Sequence, residues 1–161
     1  MKLKKIFALF IAIVMLCTAV VSVGAARQEH VIYDVAQNKK AATAIYTLDY
    51  YSGMNCVRAM NAIQYEKKVN VAQRNFPGYI LLDVSMNVGY WLDWKADYLT
   101  TSSYYAFFFD DYYIPAGRTF TEATAYFDTN LEVSPDEFDG QYYYENSNYT
   151  DASTSTNLII P

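Results

Sequence analysis

The sequence predicts an all-β fold, an antiparallel β-sandwich of jelly-roll type with about eight or nine strands. Three observations predict it. Apolar and β-branched residues come in short runs separated by Gly, Pro, Asn and Asp, the spacing of strands joined by turns. A sustained helical period is hard to find. The chain also carries 17 Tyr, all beyond residue 26, and Tyr suits a half-buried strand face because its ring is apolar and its hydroxyl wet.

The runs are taken in order. "HVIYDVA" (His30–Ala36), "ATAIYTLDYY" (Ala42–Tyr51), "CVRAMNAIQYE" (Cys56–Glu66) and "KVNVAQ" (Lys68–Gln73) are the first four. A helix over Asn55–Lys67 competes with the third, but Ile63 and Tyr65 between polar neighbours favour strand. Pro77-Gly78 reads as a turn, followed by "YILLDVSM" (Tyr79–Met86), "GYWLDWKADYL" (Gly89–Leu99) and "SYYAFFFDD" (Ser103–Asp111). "IPAG" turns the chain into "RTFTEATAYFDT" (Arg118–Thr129), and "GQYYYE" (Gly140–Glu145) closes the series. From Asn146 to Asn157 the sequence is rich in Ser, Thr and Asn, the composition of a loop or disordered tail. The terminal "NLIIP" is able to pair as a closing strand.

The N-terminus predicts the compartment. Lys2, Lys4 and Lys5 precede an apolar stretch from Ile6 to Val23, and small residues follow at Val23–Ala26. That is the pattern of a secretory signal peptide cleaved after Ala25 or Ala26. An uncleaved anchor is the competing reading, because the apolar run is nearly long enough to span a membrane. Cys17 is a poor lipoprotein cysteine, with Leu16 where a small residue belongs. The organisation expected is therefore a signal over 1–26, one sandwich domain over 27–145 and a polar tail over 146–161, released to the extracellular space without a membrane association.

Cleavage removes three of the 12 basic side chains and none of the 17 acidic ones, leaving nine against 17. An acidic surface of that kind argues against nucleic acid or anionic membrane as a partner. Only Cys56 of the two cysteines survives, so no internal disulfide forms and an apolar core must hold the fold. A domain of ~135 residues is large enough for that.

Groups for catalysis are scarce. His30 is the single histidine and lies near the mature N-terminus, where a base held by a rigid scaffold is not expected. One His and one mature Cys cannot build a zinc site. "PDEFDGQYYYEN" (Pro135–Asn146) fails as a calcium loop, with Pro135 at the first position and Asn146 at the last where oxygen ligands and a carboxylate are needed. Asp110 and Asp111 are adjacent and would point to opposite faces of a strand, so they cannot form a glycosidase pair. The expectation is a non-enzyme without cofactor or metal. Trp91 and Trp94, three apart, also fall on opposite faces, and an exposed one could stack on a sugar or anchor a protein.

Taken together, "AIYTLDYYSGMNCVRAMNAIQYEKKVNVAQRNFPGYIL" and "YYAFFFDDYYIPAGRTFTEATAYFDT" resemble a cohesin, the dockerin-binding module of cellulosome scaffolds, over about Val31 to Asp128. The resemblance implies a nine-stranded, non-catalytic sandwich that assembles extracellular polysaccharide-degrading enzymes through a dockerin-bearing protein. It departs from the family in two places. The third strand would present Arg58, Met60, Ala62 and Gln64 where short polar residues are usual, and the usual closing strand is not evident. The partner-binding residues expected on this reading are Arg58, Met60 and Gln64, outward residues Tyr105 and Phe107, and Trp91 and Trp94. The alternative is a carbohydrate-binding module that stacks polysaccharide on its Trp and Tyr side chains.

Overall fold

The computed structural model describes residues 22–66, 75–100, 104–133, 143–145 and 148–159. Ten strands make it up: β1 (Ser22–Asp34), β2 (Lys39–Tyr51), β3 (Cys56–Tyr65), β4 (Asn75–Met86), β5 (Tyr90–Thr100), β6 (Tyr105–Tyr113), β7 (Phe120–Thr129), β8 (Leu131–Val133), β9 (Tyr143–Glu145) and β10 (Ala152–Ile159). Eight of them form two four-stranded antiparallel sheets, ordered β1-β2-β3-β6 and β10-β7-β4-β5, and β8 pairs with β9 apart from these. The all-β sandwich expected from the sequence is what the chain forms, and Asn55–Lys67 is not helical where described. A jelly-roll winding, the finer part of that expectation, is not established by this order.

The sheets face each other with β2 opposite β7 and β3 opposite β4, while β1 lies against β10 and β5 against β6 at the two edges. Period-two alternation builds the core. Ala42, Ala44, Tyr46 and Leu48 of β2 pair with Tyr65, Ile63, Asn61 and Ala59 of β3, and all of these are buried. Ile80, Leu82 and Val84 of β4 and Ala123, Ala125 and Phe127 of β7 supply the opposing wall. Turns follow the local chemistry. Asn38 and Asn55 take positive φ of 48° and 49° in the β1–β2 and β2–β3 connections, a region Asn tolerates better than most side chains. Gly117, at φ 81°, completes the "IPAG" turn, where Arg118 N donates to Pro115 O at 3.1 Å.

Two strand assignments are corrected. Pro77-Gly78 is not a turn, because both residues lie inside β4, paired with Tyr98 and Asp97 of β5. Pro77 is tolerated because it stands just beyond the β4–β7 ladder, where its carbonyl accepts from Asn130 N at 2.8 Å and its missing N–H forfeits no ladder bond. The Ser/Thr-rich tail is not a loop through Asn157, because Ala152–Ile159 pairs with β7 over its full length. Ala152, Thr156 and Leu158 turn inward and Ser153, Ser155, Asn157 and Ile159 outward, so the composition concealed an alternating strand. This strand covers the free edge of β7 and becomes the edge of its sheet in turn. His30 likewise sits in the paired body of β1, opposite Ala44, with its ring 5.9 Å from that of Tyr46, and not at a fraying end.

Lys68–Gln73 and most of Pro135–Asn146 lie outside the described residues. Of the signal segment only Ser22–Ala26 is described, as the start of β1. Cleavage after Ala26 would leave Arg27–Asp34 paired with Thr47–Lys39.

Cys56 is free and buried, and burial pushes its thiol up to about 11. Both effects disfavour attack by the thiolate and disulfide formation between copies of the chain. Native protein should leave a thiol reagent such as Ellman's unreacted at Cys56 and react fully once denatured, the thiolate being the reactive form. Rapid labelling of the native state would show that the β2–β3 corner opens.

Candidate functional site along β3 and β6

Alternation along β3 puts Val57, Ala59, Asn61, Ile63 and Tyr65 in the core and Arg58, Met60 and Gln64 on the outer surface. The register then fixes their neighbours on β6: Arg58 opposes Asp111, Met60 opposes Phe109, Ala62 opposes Phe107 and Gln64 opposes Tyr105. Since β6 is the edge of its sheet, its outward side chains are covered on one flank only. Tyr105, Phe107 and Phe109 form a continuous row there, with ring centroids 5.8 Å and 6.4 Å apart in succession. Phe107, in the middle, is 54% exposed. Five of the seven residues expected from the sequence (Arg58, Met60, Gln64, Tyr105, Phe107) thus share one surface.

Arg58 is fixed in place at the end of this row. Its Nε and one terminal nitrogen each donate to a carboxylate oxygen of Asp111 at 2.7 Å. Its guanidinium lies 4.2 Å from the Phe109 ring centroid and 5.8 Å from that of Tyr51. The Asp111 hydrogen bonds hold the guanidinium charged even more firmly than usual. Asp49, paired across the ladder with Arg58, has its pKa raised by burial. The pair is only partly exposed, at 31% and 15% for the two side chains, so truncating Arg58 strands a half-buried carboxylate and costs stability as well as any contact. Arg58→Ala therefore mixes a structural cost with any loss of contact, and Met60 and Phe107 are the cleaner probes.

Asp110 turns the other way, between the sheets at the β5–β6 edge. Burial raises its pKa, and Asp93 adds to the rise while Lys95 opposes it. A carboxyl with a raised folded-state pKa binds its proton more readily in the fold than in the unfolded chain, so its charge opposes folding near neutrality. That opposition fades as pH falls through the raised value. Asp110→Asn is expected to raise the melting temperature at pH 7 and to lose the advantage in acid. A lower melting temperature at pH 7 would show instead that the charge is needed at this edge.

The two tryptophans separate as expected and neither joins the row. Trp91 stacks on Tyr112 at 4.4 Å against the core, and Trp94 lies on the outer face of the second sheet, 5.9 Å from Tyr79. Phe109 and Asp111, which complete the surface, are not among the partner-binding residues expected from the sequence. The β3–β6 register that places them beside Met60 and Arg58 joins segments about fifty residues apart. Among the described residues, no group of three or more His, Cys, Asp or Glu is placed to hold a metal ion. No protein-family model, no curated protein and no solved structure matches this chain.

Proposed function

We propose that this chain is a secreted, non-catalytic binding module that captures a protein partner on the outer face of β3 and β6. The observation that carries this reading is the exposed Tyr105-Phe107-Phe109 row, bordered by Met60 and ended by the Arg58–Asp111 pair. Aromatic residues, Met and Arg are the side chains enriched at protein interfaces, and buried aromatic or Arg anchors carry most of the binding energy. Arg58 already holds its geometry, so little side-chain entropy is lost when a partner covers it. The signal-like N-terminus supports secretion. The cohesin resemblance supports a dockerin-bearing extracellular enzyme as the partner and assembly of polysaccharide-degrading complexes as the role.

Calorimetric titration with isolated dockerin modules tests this. Phe107→Ala should weaken binding roughly 30-fold, about 2 kcal/mol for a central anchor, with Met60→Ala close behind. Both variants should melt close to the parent, because Phe107 is exposed and the backbone pairing does not depend on it. A Phe107→Ala protein that binds its partner like the parent would overturn the assignment of this face. Failure of every dockerin, with Phe107-dependent capture of another secreted protein, would remove the partner class and keep the surface.

A further inference from the structure

The opposite outer face, on β4, β7 and β10, carries a second feature. Here the register aligns Trp94, Leu81, Tyr126 and Ser155 in one row across four strands, and Ala96, Tyr79, Asp128 and Ser153 in the next. Ser153 and Ser155 are short, so the surface sinks beside the Tyr126 ring into an open hollow of about 370 Å³ bounded by Tyr79, Tyr126, Asp128, Ser153 and Ser155. Small-ligand pockets start at ~300 Å³. Tyr126 is 50% exposed, and Tyr79 packs against Trp94 with centroids 5.9 Å apart.

We infer that this hollow is a glycan-binding site for a neutral sugar ring of a polysaccharide. A pyranose has an apolar C–H face and a rim of hydroxyls. Tyr79 and Tyr126 offer ring surface to the first, and the Ser153 and Ser155 hydroxyls, beside the Asp128 side chain, offer acceptors and donors to the second. Charge narrows the class. The outward positions of β4, β5, β7 and β10 that the structure describes include Asp83, Glu122 and Asp128 and no Lys or Arg. Such a face repels uronates, phosphates and nucleic acid. An organic cation would also be drawn to aromatic rings and a carboxylate, but a quaternary ammonium group has no acceptor for the serine hydroxyls, whereas a sugar hydroxyl can both donate and accept. The site lies on the sheet opposite the β3–β6 surface and does not depend on the protein-binding reading.

Native affinity electrophoresis through gels containing xyloglucan, mixed-linkage β-glucan, galactomannan or polygalacturonate tests it. At least one neutral polymer should retard the parent protein, and polygalacturonate should not. Tyr126→Ala should reduce the retardation at least tenfold in apparent affinity, and Ser155→Leu, which fills the hollow from an exposed position, should do the same without touching an aromatic ring. Phe107→Ala should be retarded like the parent. The inference is overturned if no neutral polymer retards the protein, if Ser155→Leu and Tyr126→Ala are both retarded normally, or if tetramethylammonium at millimolar concentration abolishes the retardation.

Discussion

Asn61→Leu should lower the unfolding free energy by about 3 kcal/mol, the sum of several buried hydrogen bonds lost at ~1–3 kcal/mol each with their partners left behind. Asn61 is fully buried on the inner face of β3, a position that periodicity alone assigns to an apolar residue. Its amide nitrogen crosses the core and donates to the carbonyls of Asp128 at 2.8 Å and Tyr79 at 3.3 Å, on two adjacent strands of the other sheet. Its amide oxygen accepts from the Thr129 hydroxyl at 3.0 Å. The Tyr46 hydroxyl in turn lies 2.9 Å from Thr129 Oγ1 and close to the Ala152 carbonyl, its single proton serving one of them. Burial raises the Tyr46 pKa well above its ordinary value, so the phenol stays a donor throughout the accessible pH range.

This network ties β2 and β3 to β4, β7 and β10, and so fixes the offset between the two sheets. A leucine of similar volume fills the space and satisfies none of the three groups. Asn61→Asp should be worse near neutrality, because a carboxylate faces two carbonyl oxygens, and should partly recover in acid, where a protonated carboxyl can donate again. Urea unfolding at pH 7 and pH 4 reads both effects. An unfolding free energy for Asn61→Leu within about 0.5 kcal/mol of the parent, the size of an ordinary surface substitution, would show that the apolar core alone holds the sheets together.

Much of the β3–β6 surface was legible in the sequence, and the reason is the two-residue period of a strand. Once Ile63 and Tyr65 are assigned to the core, Arg58, Met60 and Gln64 must share the other side. The same logic separates Trp91 from Trp94. What periodicity could not supply was pairing between distant segments. The row Trp94–Leu81–Tyr126–Ser155 joins four strands whose register no local pattern encodes, so the hollow beside Tyr126 was invisible. Composition misled at β10, where Thr154 and Thr156 are good strand formers, yet the abundance of Ser, Thr and Asn imitates a loop. Asn61 gave no signal because a polar residue inside an alternating run looks like an outward position shifted by one. The polar groups that organise this core were therefore the part least readable from the chain.

Pro77-Gly78 imitates a turn for a related reason, and replacing Gly78 should produce the second large effect. Gly78 is a buried strand position whose missing side chain lets the sheets approach. A β-carbon there would stand 2.7 Å from Cε1 of Phe108, 3.1 Å from Cδ1 of Leu99 and 3.2 Å from the amide nitrogen of Asn61. The first contact is too short for any real pair of carbons, and the Phe108 ring is buried between the sheets, with little room to withdraw. Gly78→Ala should cost about 2 kcal/mol and Gly78→Val 3 or more, the range of overpacked cores, well beyond the few tenths gained by stiffening the unfolded chain. Phe108→Leu should relieve the clash, so the double variant Gly78→Ala with Phe108→Leu should be less destabilised than the sum of the two single changes, a coupling of order 1 kcal/mol. Phe108 also lies between Phe107 and Phe109 on β6, so pushing its ring outward disturbs the exposed row. Gly78→Ala should then weaken capture of the protein partner, and Phe108→Leu should restore part of it. Strict additivity in the unfolding free energies would show that the strands separate locally around the new methyl group and that the close approach at Gly78 does not position β6.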